Sequence, residues 1–169
     1  MSISTATMLP DGKPYSSHSI YNFSYDSDRG LVAFKGQATS IPDGKKSNWW
    51  IIENMKDGQT FTINQDLKIC YKSTIIDKPL YCIPETAVYQ YSSTYGYGDD
   101  KIIGDTWLIT REEAMMYFTV SGDALCIPLS GHNYSKNPAT VNSTIVSNFV
   151  PEILDPNAFD IPEECNNLV

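Results

Sequence analysis

Basic residues, histidine and long apolar runs are all scarce in this chain. Its 169 residues hold 12 Lys and Arg against 20 Asp and Glu, a net charge of −8. Nucleic-acid backbones and anionic membrane surfaces are gripped by clustered cations, so this balance excludes both as the main partner. No run of 18 apolar residues occurs, and no segment reads as a transmembrane helix. Charged residues make up 19% of the chain, below the roughly 25% usual for globular proteins, and 41% are hydrophobic. A disordered polyelectrolyte is thereby excluded. The length fits one domain, read here as residues 1–169 with an extended tail over 151–169.

Catalytic signatures are missing too. There is no G-x-S-x-G and no H-E-x-x-H. The two histidines, His18 and His132, are far apart in sequence, and His132 sits in the polar run Ser130-Gly131-His132-Asn133, which reads as a turn. No cysteine belongs to a C-x-x-C pair, which argues against a zinc site. Tyr95-Gly96-Tyr97-Gly98 contains a G-x-G without the helix that a dinucleotide site requires. Asp26-Ser27-Asp28 opens like a calcium loop, but the twelfth position is Gln37 rather than Glu, so a hairpin turn explains it better. The chain is read as a non-enzyme, with its metal content left open.

Eleven Tyr, six Phe and three Trp are present, with ten Gly, ten Pro and β-branched residues along the whole length. Such side chains fit a pleated, half-buried surface, and the recurrent Pro breaks most helical windows. The expectation is an all-β domain of roughly ten antiparallel strands in two sheets. Residues 18–26 alternate, with Tyr21, Phe23 and Tyr25 on one side and Asn22 and Ser24 on the other. A turn at 27–30 leads into LVAFKG, and 48–53, 60–64 and 67–72 continue the meander. In the second half, strands are expected at 86–91, 101–110 and 140–150, with a hairpin pairing 115–121 with 124–129. Loops are expected at 92–100 and 130–139, and one helical turn at 111–115.

Four cysteines, Cys70, Cys82, Cys126 and Cys165, accompany three N-x-[ST] sequons at Asn22, Asn133 and Asn142. Together they point to an oxidising, secretory origin. Asn133 is expected in the most polar loop. The opening MSISTATMLP has neither a basic stretch nor an apolar core and is not a signal peptide. The chain is therefore expected to be a mature form or one with an added starter Met.

A set of short motifs resembles the ependymin-related proteins, small secreted glycoproteins. These are Phe23-Ser24-Tyr25-Asp26, Ile63-Asn64 ahead of Ile69-Cys70, and Ile83-Pro84-Glu85-Thr86-Ala87. They continue with Asp105-Thr106-Trp107, Leu125-Cys126-Ile127-Pro128-Leu129 and Leu154-Asp155-Pro156-Asn157-Ala158-Phe159-x-x-Pro162. The resemblance implies two stacked, curved antiparallel sheets around a hydrophobic pocket, as in bacterial lipoprotein carriers. It also implies secretion or lysosomal delivery, N-glycosylation, homo- or heterodimers, calcium in some members, and a lipid or carotenoid as ligand. Cys70 with Cys165 is the one family pairing that transfers. The family's N-terminal cysteine is absent here and Cys82 is extra, so Cys82 either bridges Cys126 or stays free to link subunits.

Alternation places Tyr21, Phe23, Tyr25, Trp50, Ile52, Phe61, Ile63, Tyr89, Tyr91, Trp107, Ile109, Phe118 and Val120 on inward faces. Any one of them alone reads first as part of a packed core, but buried Tyr hydroxyls need partners, so the set together suits a polar-tipped cavity for a long apolar ligand. Scarce cations tilt the expectation toward a carotenoid or another weakly polar molecule over a fatty acid. The rival reading is an adhesion or signalling glycoprotein that acts through its surface or dimer face.

Overall fold

The structure is a computed structural model that describes residues 1–75, 82–123 and 125–166. Eleven strands carry the chain. They are β1 (Ser2–Met8), β2 (Pro14–Asp26), β3 (Leu31–Ile41), β4 (Lys46–Asn54), β5 (Gln59–Asn64) and β6 (Ile69–Thr74). Then come β7 (Val88–Tyr97), β8 (Asp100–Thr110), β9 (Ala114–Ser121), β10 (Pro128–Ser135) and β11 (Thr140–Ile145). A short 3-10 turn, Glu163–Asn166, lies in the tail. The hydrogen-bonded order is β6-β5-β4-β3-β2-β1-β11-β10-β9-β8-β7, one sheet order rather than two separate ones, so the all-β antiparallel expectation holds with different connectivity.

Several boundaries differ from the sequence expectation. β1 was not anticipated, and β2 starts at Pro14. The stretch 130–139 is not a loop: residues up to Ser135 form β10, bonded to β9 on one side and β11 on the other. A polar run makes a good strand when both neighbours satisfy its backbone, whatever its intrinsic preference. For the same reason the expected loop 92–100 is mostly β7, paired with β8 as far as Tyr97↔Asp100. The helical turn at 111–115 is instead a tight hairpin closed by Arg111 N–H donating to Ala114 O at 2.7 Å. β11 stops at Ile145, short of Val150. In the expected arm 124–129, Ala124 lies outside the described residues. The strand itself begins at Pro128, after a loop in which Ile127 N–H donates to Ser121 Oγ at 3.0 Å. Residues 167–169 of the expected tail also lie outside the described residues.

Chain contacts form two compact units. One holds Met1 and the described residues of 18–79 and 149–169; the other holds 2–17 and the described residues of 80–148. In the first, β3, β4, β5 and β6 pair in sequence order, with Ala33↔Ile52, Ile52↔Phe61 and Ile63↔Cys70 in register. Paired residues point to the same side of a pleated sheet, so Ala33, Ile52, Phe61, Ile63 and Cys70 form one apolar face. Gly36 allows β3 to lie close to β2, because a Cβ there would run into the Ile20 carbonyl.

The C-terminal tail covers that face. Cys165 is bonded to Cys70 and buried with Ile52, Phe61 and Ile63. Ala158 and Phe159 pack with Ala33 and Leu31. Trp50 donates its indole N–H to Ala158 O at 3.0 Å, and the Arg29 guanidinium lies 5.1 Å from the Phe159 ring centroid. Burying a Phe side chain contributes about 2–3 kcal/mol, enough to hold a segment with little regular structure when a disulfide also anchors it.

In the second unit, β9 is flanked by β8 and β10, with registers Trp107↔Phe118 and Phe118↔Gly131. A buried hydrogen bond of 2.9 Å joins the Thr106 and Thr119 hydroxyls across β8 and β9. A second disulfide joins Cys82 to Cys126, across 44 residues of sequence. Of the two readings open for Cys82, the structure shows the internal bridge.

Candidate functional site

The register of the second unit assembles one aromatic face. Tyr89, Trp107, Phe118 and Gly131 lie in one row across β7, β8, β9 and β10. One step along, Ile109, Met116 and Asn133 form the next row, and Asp105 and Val120 pair on the other side. Directly paired residues share a face, so Tyr89, Trp107, Ile109, Phe118 and Val120 stand together. Ile109 and Val120 are buried at 4% and 3% exposure, whereas Tyr89 is 50% exposed. On this face Ile109 and Val120 are buried, Trp107 and Phe118 half-buried and Tyr89 exposed.

Polar groups on this face are arranged unequally. Tyr89 and Ser92 share a hydroxyl–hydroxyl bond of 2.8 Å, and Ser92 donates to Asp105 Oδ1 at 2.5 Å. The Tyr89 ring meets Trp107 edge-on, with centroids 5.4 Å apart. Yet Trp107 Nε1 is buried and has no hydrogen-bond partner, the one such side-chain atom among the described residues. An indole N–H can only donate, and leaving it unpaired in a buried place costs about 1–3 kcal/mol. It is the kind of group that a bound acceptor would satisfy.

The remaining expected residues fall elsewhere. Trp50, Ile52, Phe61 and Ile63 belong to the face that the tail covers. Tyr21, Phe23 and Tyr25 share a side of β2, where Phe23 and Phe34 centroids are 5.2 Å apart and Tyr21 and Phe34 are 6.3 Å apart. A register shift between Tyr89 and Tyr91 pairs Tyr91 with Thr106 and turns it to the opposite side from Trp107. Bulges reverse side-chain parity, and simple alternation cannot foresee them. Phe34 and Met116 were missed, although both sit at alternating positions, with Val32 and with Phe118, that carried the signal.

Glu53 is a further group that the sequence reading passed over. It pairs with Val32 and Thr60 in register, and burial raises its carboxyl above the usual carboxylate range. Asp26 accepts from both the backbone N–H and the Nε of Arg29, which holds its carboxyl low and marks a hairpin turn. No group of three His, Cys, Asp or Glu able to hold a metal occurs among the described residues. No described helix is long and apolar enough to cross a membrane.

The sequons differ in setting. Asn22 is exposed on β2. Asn133 lies within β10 rather than in a loop and is half-buried, and Asn142 on β11 is half-buried as well. Their residues are directly opposite each other.

An antiparallel β protein stapled by two disulfides, with aromatic faces and an anchored tail, defines a class built for oxidising surroundings. The family model for Ependymin matches residues 43–165, and the chain belongs to the ependymin family. Proteins of that family are typically extracellular, which the two disulfides fit. No curated protein matches the chain.

Proposed function

We propose that this is a secreted, non-enzymatic carrier glycoprotein that holds a long, weakly polar apolar molecule, a carotenoid or lipid, against the face of Tyr89, Trp107, Ile109, Phe118 and Val120. The observation that carries this reading is the buried Trp107 N–H, which lacks an acceptor beside the apolar Ile109, Phe118 and Val120. A ligand with a hydroxyl, keto or ester oxygen supplies that acceptor, while its polyene or acyl body lies on Trp107 and Phe118. Tyr89, bound to Ser92 and half in water, suits the polar end. Secretion and glycosylation at Asn22 belong to the same proposal, supported by the family and the two disulfides.

Titration of the protein with a hydroxylated carotenoid and with a long-chain fatty acid, read by tryptophan fluorescence, tests it. Saturable quenching with affinity on the order of −8 kcal/mol, micromolar, is expected. Trp107→Phe should remove most of the quenching and weaken binding by about 1 kcal/mol, the value of one hydrogen bond. If neither ligand perturbs Trp107, the carrier reading fails, and action through the protein surface replaces it.

A further inference from the structure

The two sequons of the second unit face each other. Asn133 on β10 pairs with Asn142 on β11, and the same row continues to Thr5 on β1 and to Met116 on β9. Opposed side chains of neighbouring strands have Cβ atoms about 5 Å apart. A pyranose ring with its acetamido group is wider than that gap. Thr5 and Met116 occupy the flanking positions of the same row. Gly131, two residues before Asn133 in the same face, leaves the smallest neighbour along the strand, and a Cβ added there would just reach contact with Phe118 at 3.7 Å. Both asparagines are half-buried.

We propose that Asn133 and Asn142 form a mutually exclusive pair: a folded, secreted molecule carries a glycan at one of them and never at both. The inference rests on passage through the secretory pathway, as in the proposed function. The modification itself is a transfer from a lipid-diphosphate-linked oligosaccharide. The Asn Nδ2–C1 bond forms, the C1–O bond to the diphosphate breaks, the amide loses one proton, and the lipid diphosphate leaves. Both sequons are open to this transfer in the unfolded chain. A chain modified twice cannot bring β10 and β11 into register, so it fails to fold and is not released.

The exclusion also sets where the sugar stands. Asn133 is in the row of Met116 and Ile109, next to the row of Phe118 and Trp107. A single glycan there borders the aromatic face at its β10 end without covering Tyr89 at the other.

The full chain, secreted from cultured animal cells behind a cleavable leader, tests the pairing by intact mass and by glycopeptide mapping. The expected result is one glycan beyond that at exposed Asn22, divided between Asn133 and Asn142 across the population. Asn142→Gln should then move the glycan to Asn133, and Asn133→Gln should move it to Asn142, with secretion maintained in each. Molecules carrying sugar at both positions overturn the proposal. So does a glycan at Asn22 with both partners bare, since the neighbour is then not what keeps either empty. A chain bare at all three positions removes the secretory reading as well.

Discussion

Removing the Cys70–Cys165 bridge by the double change Cys70→Ala and Cys165→Ala tests how the tail is held. The bridge spans 95 residues of sequence. In the chain-entropy model a loop of that length restricts the unfolded chain by about 4.7 kcal/mol at 25 °C. The native side loses little packing volume, because Ala retains the Cβ of each half-cystine beside Ile52, Phe61 and Ile63. The folded tail keeps the Trp50–Ala158 bond and the Phe159 contacts, so it should stay docked in the folded state. Urea unfolding without reductant, followed by tryptophan fluorescence and by far-UV circular dichroism, should therefore show a loss of about 4–5 kcal/mol with a nearly native folded signal. That loss is a large part of a domain's usual stability of about 5–15 kcal/mol. A loss below about 1 kcal/mol would refute the reasoning, because the unfolded chain would then gain almost no freedom from the cut. A native baseline shift at Trp50 would show instead that the tail had left the face.

Other expectations follow from single groups. Phe159→Ala should cost about 3 kcal/mol in urea unfolding, the low end for a buried Phe, and an unchanged midpoint would mean that the tail does not pack on Leu31 and Ala33. Burial lifts the folded carboxyl of Glu53 above its unfolded value, so the folded state holds the proton more tightly. Stability is then lost as pH rises from the unfolded value through the raised folded one, and stays lost at neutral pH. Glu53→Gln should raise the thermal midpoint at pH 7 and leave it unchanged at acid pH, and the reverse pattern would contradict the buried placement. Thr106→Val or Thr119→Val alone leaves a buried hydroxyl unpaired and should cost about 1–3 kcal/mol, whereas the double change should recover much of that. Equal, additive losses would show that the two hydroxyls are not bonded to each other.

How much was legible depended on what decided each element. In β4 and β5, alternation of Trp50, Ile52, Phe61 and Ile63 read directly into the observed register, since Ile52, Phe61 and Ile63 on that face are buried there. The turn at 27–30 was visible because Asp26 and Gly30 carry its chemistry: Asp26 accepts from Arg29, and Gly30 takes a positive φ of 68°. β10 was not legible. Its residues are polar or small, and strand pairing on both sides, which no local window contains, makes it a strand. The parity of Tyr91 was lost to a bulge for a related reason. At the candidate site, Tyr89, Trp107, Ile109, Phe118 and Val120 were all named from sequence. Their separation from Trp50 and its neighbours was not, because only the folded tail distinguishes the two sets.

That distinction turns on two indoles. Trp50 and Trp107 sit in similar company, each half-buried in a strand beside aromatic and branched residues. On the Trp50 face the tail supplies what a ligand would: an apolar body in Ala158 and Phe159, and an acceptor in the Ala158 carbonyl. The protein itself fulfils the demand, and the disulfide at Cys165 makes the occupant permanent. Trp107 has the same donor, but no described residue offers it an oxygen. A buried donor left open in this way costs about 1–3 kcal/mol. Under the carrier proposal the tail on Trp50 is the template for the ligand of Trp107: an extended apolar chain with one oxygen placed about 3 Å from the indole nitrogen.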